Sequence, residues 1–336
     1  MKSCFLAENK DTLNNVYHPD TKERIRAELG PSGEAVYCKA DVLADPGAFS
    51  EVEYIFSTWS MPRFSEEEIK ACFPKLKAVF YAAGSVQFFA APFLNCGVRV
   101  FSAWAANAVP VAETTLALIL LANKGYHMAA HYCSQSASLR GKAEEYVRKN
   151  RGNYGCKVGI LGVGMVGSCV CRLLKHHRLR VLAYDPFCSE EKAKELGVEL
   201  TSLEEIFSGC EVITNHLANN EQTKNMLGYD LFRRMHDNAT FINTGRGAQV
   251  VEGDLVRALK EKSHCCAILD VTDPEPPGED SPFFGMDNVI LTPHLAGSQR
   301  DEWWRMAEYM YEEAALLEQG KPTRYHVTHK MLETMA

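Results

Sequence analysis

Short runs of β-branched and aromatic residues alternate with amphipathic stretches along almost the whole chain. Residues 52–58, 76–83 and 98–101 read as strands. After the first of them, Ser65-Glu66-Glu67-Glu68 opens a helix, with Ser65 as N-cap and Glu68 completing a capping box. Alternation at this pitch predicts βαβ units and a parallel sheet. Pro110 is expected to open a long helix to about Ser134, mostly buried because its apolar positions are too dense for one face. A charged stretch, 141–155, follows. Strands are then predicted at 157–161, 180–184, 211–215, 240–243, 265–271 and 289–292, with a helix from Met165. Six strands is the count of a full dinucleotide-binding sheet, and the N-terminal units form a separate, smaller sheet. After Gly297 a helix rich in Trp, Met, Tyr and Glu runs to about Gln319.

A chain of 336 residues is long enough for two domains. Its 46% hydrophobic and 24% charged residues exclude a disordered or fibrous chain. The net charge of −7 argues against a nucleic-acid partner, and the densest basic stretch, Val147 to Arg151, reads as a solvated loop or helix end. The 12 cysteines include no Cys-x-x-Cys pair, so they suggest small hydrophobes in a reducing cytoplasm. The N-terminus turns polar too soon for a secretory core, and the longest apolar helix candidate, 116–122, is too short to span a bilayer, so no membrane partner is expected. His127 and His131 have ligand spacing on a helix, but no catalytic Glu lies between them and no metal is expected. His176, His177, His326 and His329 are expected to be solvated, and Trp303-Trp304 to pack mainly in the core.

The segment from Lys157 to Gly167 places Gly162-x-Gly164-x-x-Gly167 directly after an apolar strand and before a helical pattern. Gly162 permits the tight turn, Gly164 lets the backbone approach a pyrophosphate, and Gly167 lets helix and strand pack closely. The helix N-terminus supplies free N–H groups and a positive dipole. Asp185 ends the next strand, near the expected offset of about 20 residues. An acid there accepts from ribose hydroxyls and repels a 2′-phosphate. With no Arg directly after it, NAD is favoured over NADP.

Three further residues each follow an apolar run, in loops at predicted strand C-termini: Arg246, Glu275 and His294. That edge is where ligands bind in a parallel α/β sheet. Oxidation of a 2-hydroxy acid by NAD needs a base for the hydroxyl proton, a cation for the carboxylate and an acid to orient the base. His294 suits the first role, because histidine is the side chain that ordinarily titrates near neutral pH. Arg246 matches a carboxylate bidentately. Glu275 would stabilise a charged imidazole. Singly, each has an ordinary alternative: a cap or ion-pair Arg, a solvated turn Glu, a packed loop His. Their shared sheet edge with the Gly162 loop favours the catalytic reading.

These blocks, namely Gly162 to Gly167 with Asp185, then Asn243 to Gly247, then Asp270 to Pro276 with Pro293 to Gly297, resemble the D-isomer-specific 2-hydroxyacid dehydrogenase family. The resemblance covers nearly the whole chain. It implies two Rossmann-like or flavodoxin-like α/β domains with parallel sheets and an active site in the interdomain cleft. The substrate domain would be discontinuous, 1–102 plus 297–336, and the NAD-binding domain would span 103–296. Arg246, Glu275 and His294 would be catalytic, and Asp270 would approach the nicotinamide carboxamide. The implied cofactor contacts extend to Met165, Val166, Pro186, His216, Thr244, Gly245, Arg246, His294 and Gly297. Substrate would meet Gly84, Ser85 and Val86 through backbone N–H groups, with Trp59 and Arg246. Many members carry an acid where Val86 stands. Members commonly form homodimers. An NADH-sensing binding protein or corepressor is the alternative reading, which the intact Arg, Glu and His set disfavours. Formate-oxidising members carry an amide in place of Glu275, so the acid argues for hydroxy-acid chemistry. The substrate's side chain stays open among glyoxylate, hydroxypyruvate, phenyl-substituted and sugar-derived acids.

Overall fold

The computed structural model describes residues 2–30 and 35–332. The chain divides into two compact units, Met1–Asn107 with Ser298–Ala336, and Ala108–Gly297. The first contains β1 (Ser3–Leu6), β2 (Val36–Tyr37), β3 (Tyr54–Ser57), β4 (Ala78–Tyr81) and β5 (Arg99–Ser102). The second contains β6 (Lys157–Leu161), β7 (Arg180–Tyr184), β8 (Glu199–Leu200), β9 (Val212–Asn215), β10 (Thr240–Asn243), β11 (Cys266–Leu269) and β12 (Val289–Leu291). A last strand, β13 (His326–Val327), returns to the first unit.

The first sheet has the order β13-β5-β4-β3-β1-β2 and is parallel except for β13, which runs antiparallel to β5. Its first five strands follow the flavodoxin-like order, 2-1-3-4-5. β1, β3 and β4 are buried along their whole length, as expected for parallel strands covered on both faces. Three rings stack across neighbouring strands, Phe56 on Phe80 at 5.2 Å and Phe80 on Phe101 at 5.0 Å. The helix Asp301–Glu318 buries Met306, Ala307, Met310 and Ala314 in the same cluster.

The second sheet is wholly parallel, in the order β12-β11-β10-β9-β6-β7-β8. Counted from β6, its first six strands have the dinucleotide-binding order 3-2-1-4-5-6, and β12 adds a seventh at the edge. The order reverses between β6 and β9, so the loops after these two strands diverge and leave a crevice at the sheet's C-terminal edge. Phe207, Phe232 and Phe241 anchor one core cluster, while Ala112, Ile119, Val170 and Leu174 belong to another.

Several elements differ from the sequence expectation. β1, four residues beside the N-terminus, was not predicted. β2, β8 and β13 are two residues each and exist only by pairing with longer neighbours. Pro110 lies inside a helix, Trp104–Ala122, rather than opening one. Proline's fixed φ suits a helix, and its missing N–H removes the bond to the Ala106 carbonyl without ending the element. That helix stops before Gly125, which takes φ +66, and a second helix, Tyr126–Gln135, follows. At 19 residues, Trp104–Ala122 is also long and apolar enough to cross a membrane, contrary to the expectation from 116–122. Ala112, Thr115, Ile119 and Ala122 are buried, and the three apolar ones join a core cluster of the second unit, which accounts for the composition. His326 is half-buried in β13 with its ring 5.5 Å from Phe101, not solvated, and burial lowers its pKa. Trp304 is 38% exposed.

Replacing Phe80 by Ala removes the middle ring of the stack. It should destabilise the first unit by about 3–5 kcal/mol in denaturant unfolding. A loss below about 1 kcal/mol would mean that the stack carries no weight.

Candidate active site

β6 ends at Leu161 and the chain turns at Gly162 with φ +87. A Cβ there would sit 2.6 Å from the His216 carbonyl oxygen, so the loops after β6 and β9 touch through backbone. Gly167 packs against the Gly162 carbonyl, where a Cβ would collide, and Gly164 faces open space. Gly164 is the N-cap of the helix Met165–Leu174 and offers no side-chain cap. The first-turn amides, from Met165 to Gly167, therefore lack an intrahelical acceptor and are available to an anion. Asp185 accepts from Val163 N at 2.7 Å and Phe187 N at 2.8 Å, which leaves further lone pairs on both oxygens. Pro186 is exposed beside it. Lys192, not anticipated, donates to the Val163 carbonyl at 2.6 Å and steadies the loop. His216 shares a hydrogen bond of 3.1 Å with Thr214, while its buried Nδ1 has no partner. Burial pushes its pKa down to about 3.

The Arg246 loop rests on a buried amide network that sequence reasoning missed. Asn215 Nδ2 donates to Asn243 Oδ1 at 3.0 Å and to Gln249 Oε1 at 3.1 Å. Asn243 Oδ1 also accepts from Gly245 N at 3.1 Å, and Asn243 Nδ2 donates to the Arg246 carbonyl at 2.9 Å. All three amides are essentially inaccessible. The available signal was an Asn ending each of two apolar strands, β9 and β10. Each of these amides left unpaired would cost about 1–3 kcal/mol, so the loop has little freedom. Thr244, beside it, shares a 3.0 Å hydrogen bond with Thr115. Burial lowers the pKa of Arg246 and the Glu275 carboxylate acts against that, so Arg246 stays the cation of the group.

Asp270 follows β11, and its buried carboxylate holds the next loop. It accepts from Thr292 Oγ1 at 2.6 Å, Leu295 N at 2.8 Å and Ala296 N at 2.9 Å. His294 N donates to the Asp270 carbonyl at 3.0 Å. These bonds hold His294 at φ +52, a left-handed conformation that a non-glycine residue adopts only under constraint. His294 Nδ1 then lies 2.5 Å from Glu275 Oε1, with side chains 46% and 39% exposed. Gly297 is half-buried at the end of this unit. The second unit thus gathers Gly162, His216, Thr244, Arg246, Asp270, Glu275 and His294 at the C-terminal edge of one sheet. Among the described residues no group of three or more His, Cys, Asp or Glu could hold a metal.

In the first unit, the Gly84 carbonyl accepts from Ser102 Oγ at 2.6 Å. Among the described residues the N–H groups of Gly84 and Ser85 find no acceptor. The Val86 side chain is fully buried in the unit's core, which leaves the expected role of its backbone N–H untouched. Trp59 is 36% exposed and meets Trp303 at 6.1 Å.

Residues 116–296 match the family model for the NAD binding domain of D-isomer specific 2-hydroxyacid dehydrogenases. The chain belongs to that family. The cofactor of this D-2-hydroxyacid dehydrogenase family member is NAD, and the free amides, open Gly164 and Asp185 described above fit it. The chain is similar to a D-3-phosphoglycerate dehydrogenase of Archaeoglobus fulgidus, 32% identical over 70% of this chain and 44% of the relative. It is also similar to a glyoxylate reductase of Korarchaeum cryptofilum, 37% identical over 50% of this chain and 51% of the relative. The chain thus spans about half the length of these relatives. Among solved structures, a phosphoglycerate oxidoreductase from Rhizobium etli superposes with a TM-score of 0.81 at 21% identity, covering 98% of this chain and 99% of that one. The D-mandelate dehydrogenase of Rhodotorula graminis gives 0.77 at 18%, covering 97% of each chain. At such identities the likeness establishes the fold.

Gly162→Val should weaken NADH binding at least tenfold in a fluorescence titration, since the turn needs φ +87 and has no room for a side chain. Unchanged affinity would remove this loop from the cofactor site. A separate expectation concerns acid stability. The folded His216 stays neutral to about pH 3, whereas the unfolded one protonates near 6.5. The unfolded state therefore binds the extra proton between these values, and stability falls as pH drops through that window, by up to about 1.4 kcal/mol per pH unit. Denaturant melts of His216→Gln should show a shallower slope between pH 6.5 and 4 than the parent chain; equal slopes would contradict the assignment.

Proposed function

We propose that this protein interconverts a small D-2-hydroxy acid and its 2-keto acid by NAD-dependent hydride transfer. The hydrogen-bonded pair His294 and Glu275, on the edge that carries Arg246 and the Gly162 loop, is the observation that carries the reading. NAD supplies the hydride acceptor in one direction and, reduced, the donor in the other. An ionised Glu275 only accepts hydrogen bonds, so the His294 Nδ1–H donates to it. That leaves Nε2 to take the hydroxyl proton on oxidation, or to return it to the keto oxygen on reduction. Glu275 offsets the positive charge that His294 gains and keeps the ring's orientation. Arg246 holds the substrate carboxylate with two parallel N–H donors. Asp270 keeps His294 in place through the bonds to residues 292–296, and its approach to the nicotinamide carboxamide belongs to the same proposal. Gly84 and Ser85 are proposed to bind a carboxylate through their N–H groups.

The cysteines are all unpaired, which suits a reducing cytoplasm. The acidic balance of the chain suits a small-molecule enzyme rather than a nucleic-acid binder. Burial of Trp104–Ala122 residues in the second unit's core supports a helix that does not lie in a membrane. A homodimer, which the resemblance to the family implies, belongs to the same proposal.

NADH oxidation should be measured with glyoxylate, hydroxypyruvate, a phenyl-substituted and a sugar-derived 2-keto acid. At least one should be reduced, and binding of NADH with no turnover on any would sink the enzyme reading. His294→Ala should lower kcat at least 100-fold with NADH affinity within twofold.

A further inference from the structure

The loop that carries Glu275 has few anchors of its own. Thr272 Oγ1 donates to the Pro274 carbonyl at 2.8 Å, a bond internal to the loop. Two contacts fasten it to the segment that follows Arg246. The first is a backbone approach at Gly247, so close that a Cβ there would collide with Thr272 and Asp273. The second is a hydrogen bond from Asp273 N to Glu252 Oε1 at 2.9 Å. Glu252 is the first residue of the helix Glu252–Glu261, whose N-cap, Val251, has no capping side chain. A glutamate in a first helical turn ordinarily faces solvent, where its charge favours the helix dipole. Here it is half-buried and reaches across to another loop.

We propose that Glu252 is a positioning residue for the reaction: by accepting the Asp273 N–H, it ties the loop of Glu275 to the segment of Arg246 and so holds Glu275 within reach of His294. The inference rests on the dehydrogenase reading above. The cost of the arrangement is visible in Glu252 itself. Burial raises its pKa, the Asp273 N–H acts to lower it, and the Asp273 carboxylate raises it further. A carboxylate kept in so unfavourable a place for one backbone hydrogen bond points to that bond as its role. The precision needed is high, because Glu275 meets His294 at 2.5 Å, and a misplacement of about 1 Å can cost on the order of a hundredfold in rate.

The test compares Glu252→Ala, Glu252→Asp and Glu252→Gln in the full chain. Gln keeps an acceptor oxygen at the same reach; Asp keeps the charge and suits a helix start but is one methylene short. Amide exchange is read over residues 273–276, where only Asp273 and Glu275 carry an N–H because 274 and 276 are prolines. Exchange should be faster in the Ala and Asp variants and close to the parent rate in the Gln variant. With a keto acid that the parent reduces, kcat should fall roughly tenfold or more for Ala and Asp, with KM changed less and NADH affinity within twofold, and Gln should recover most of the rate. Unchanged exchange in the Ala variant, kcat within twofold of the parent, or a Gln variant as impaired as Ala would overturn the proposal. If the parent reduces no keto acid, the dehydrogenase reading fails, and the exchange measurement still decides whether Glu252 clamps the loop.

Discussion

Five residues form one continuous row across the second sheet: Leu161 pairs with Asn215, Asn215 with Asn243, Asn243 with Leu269, and Leu269 with Leu291. Parallel pairing in this register ends β6, β9, β10, β11 and β12 at one level. The residues that follow are therefore delivered to a single edge: Gly162, His216, Thr244 and Asp270 directly, and Arg246, Glu275 and His294 from the loops beyond. A slip of one residue in any strand would reverse its side chains across the sheet. It would exchange the side chains packed into the two core clusters and shift the loop residue that follows the strand.

The row also explains why polar residues tolerate burial here. Asn215 and Asn243 stand at the last position of their strands, where the ladder ends and loop backbone needs partners. Their amides supply those partners directly, together with Gln249, and hold the Arg246 turn. Asp270 does the same one strand further on, with its carboxylate bonded to both flanks of His294. Rigid backing of this kind is what the proposed proton-transfer pair requires, since its own side chains remain partly exposed.

Much of the candidate site was legible in the primary structure because the chemistry proposed for it depends on residue types with few substitutes. A turn at φ +87 against another backbone calls for glycine, and Gly162 is visible as such. The acid of Asp185 and the Arg, Glu and His set stand after apolar runs long enough to read as strands. The elements that went unread were those whose existence depends on a partner. β2, β8 and β13 are strands only because β1, β7 and β5 offer them free edges. Pro110 misled for a related reason: its helix starts six residues earlier, at Trp104, and core contacts of Ala112, Ile119 and Ala122 carry the element past the missing hydrogen bond.

The sequence by itself determined the class of the protein: alternating strands and helices, a glycine turn for a dinucleotide, and a cation, an acid and a base spaced along successive strands. These follow from local requirements, namely periodicity, turn geometry and the protonation chemistry of side chains. The tertiary structure alone decided the working distances. The 2.5 Å separation of His294 and Glu275, the left-handed φ of His294, the amide network under Arg246 and the reach of Glu252 to Asp273 each join residues far apart in the chain. Such contacts arise from sheet register and close packing, which are properties of the assembled layers and are written in no single segment.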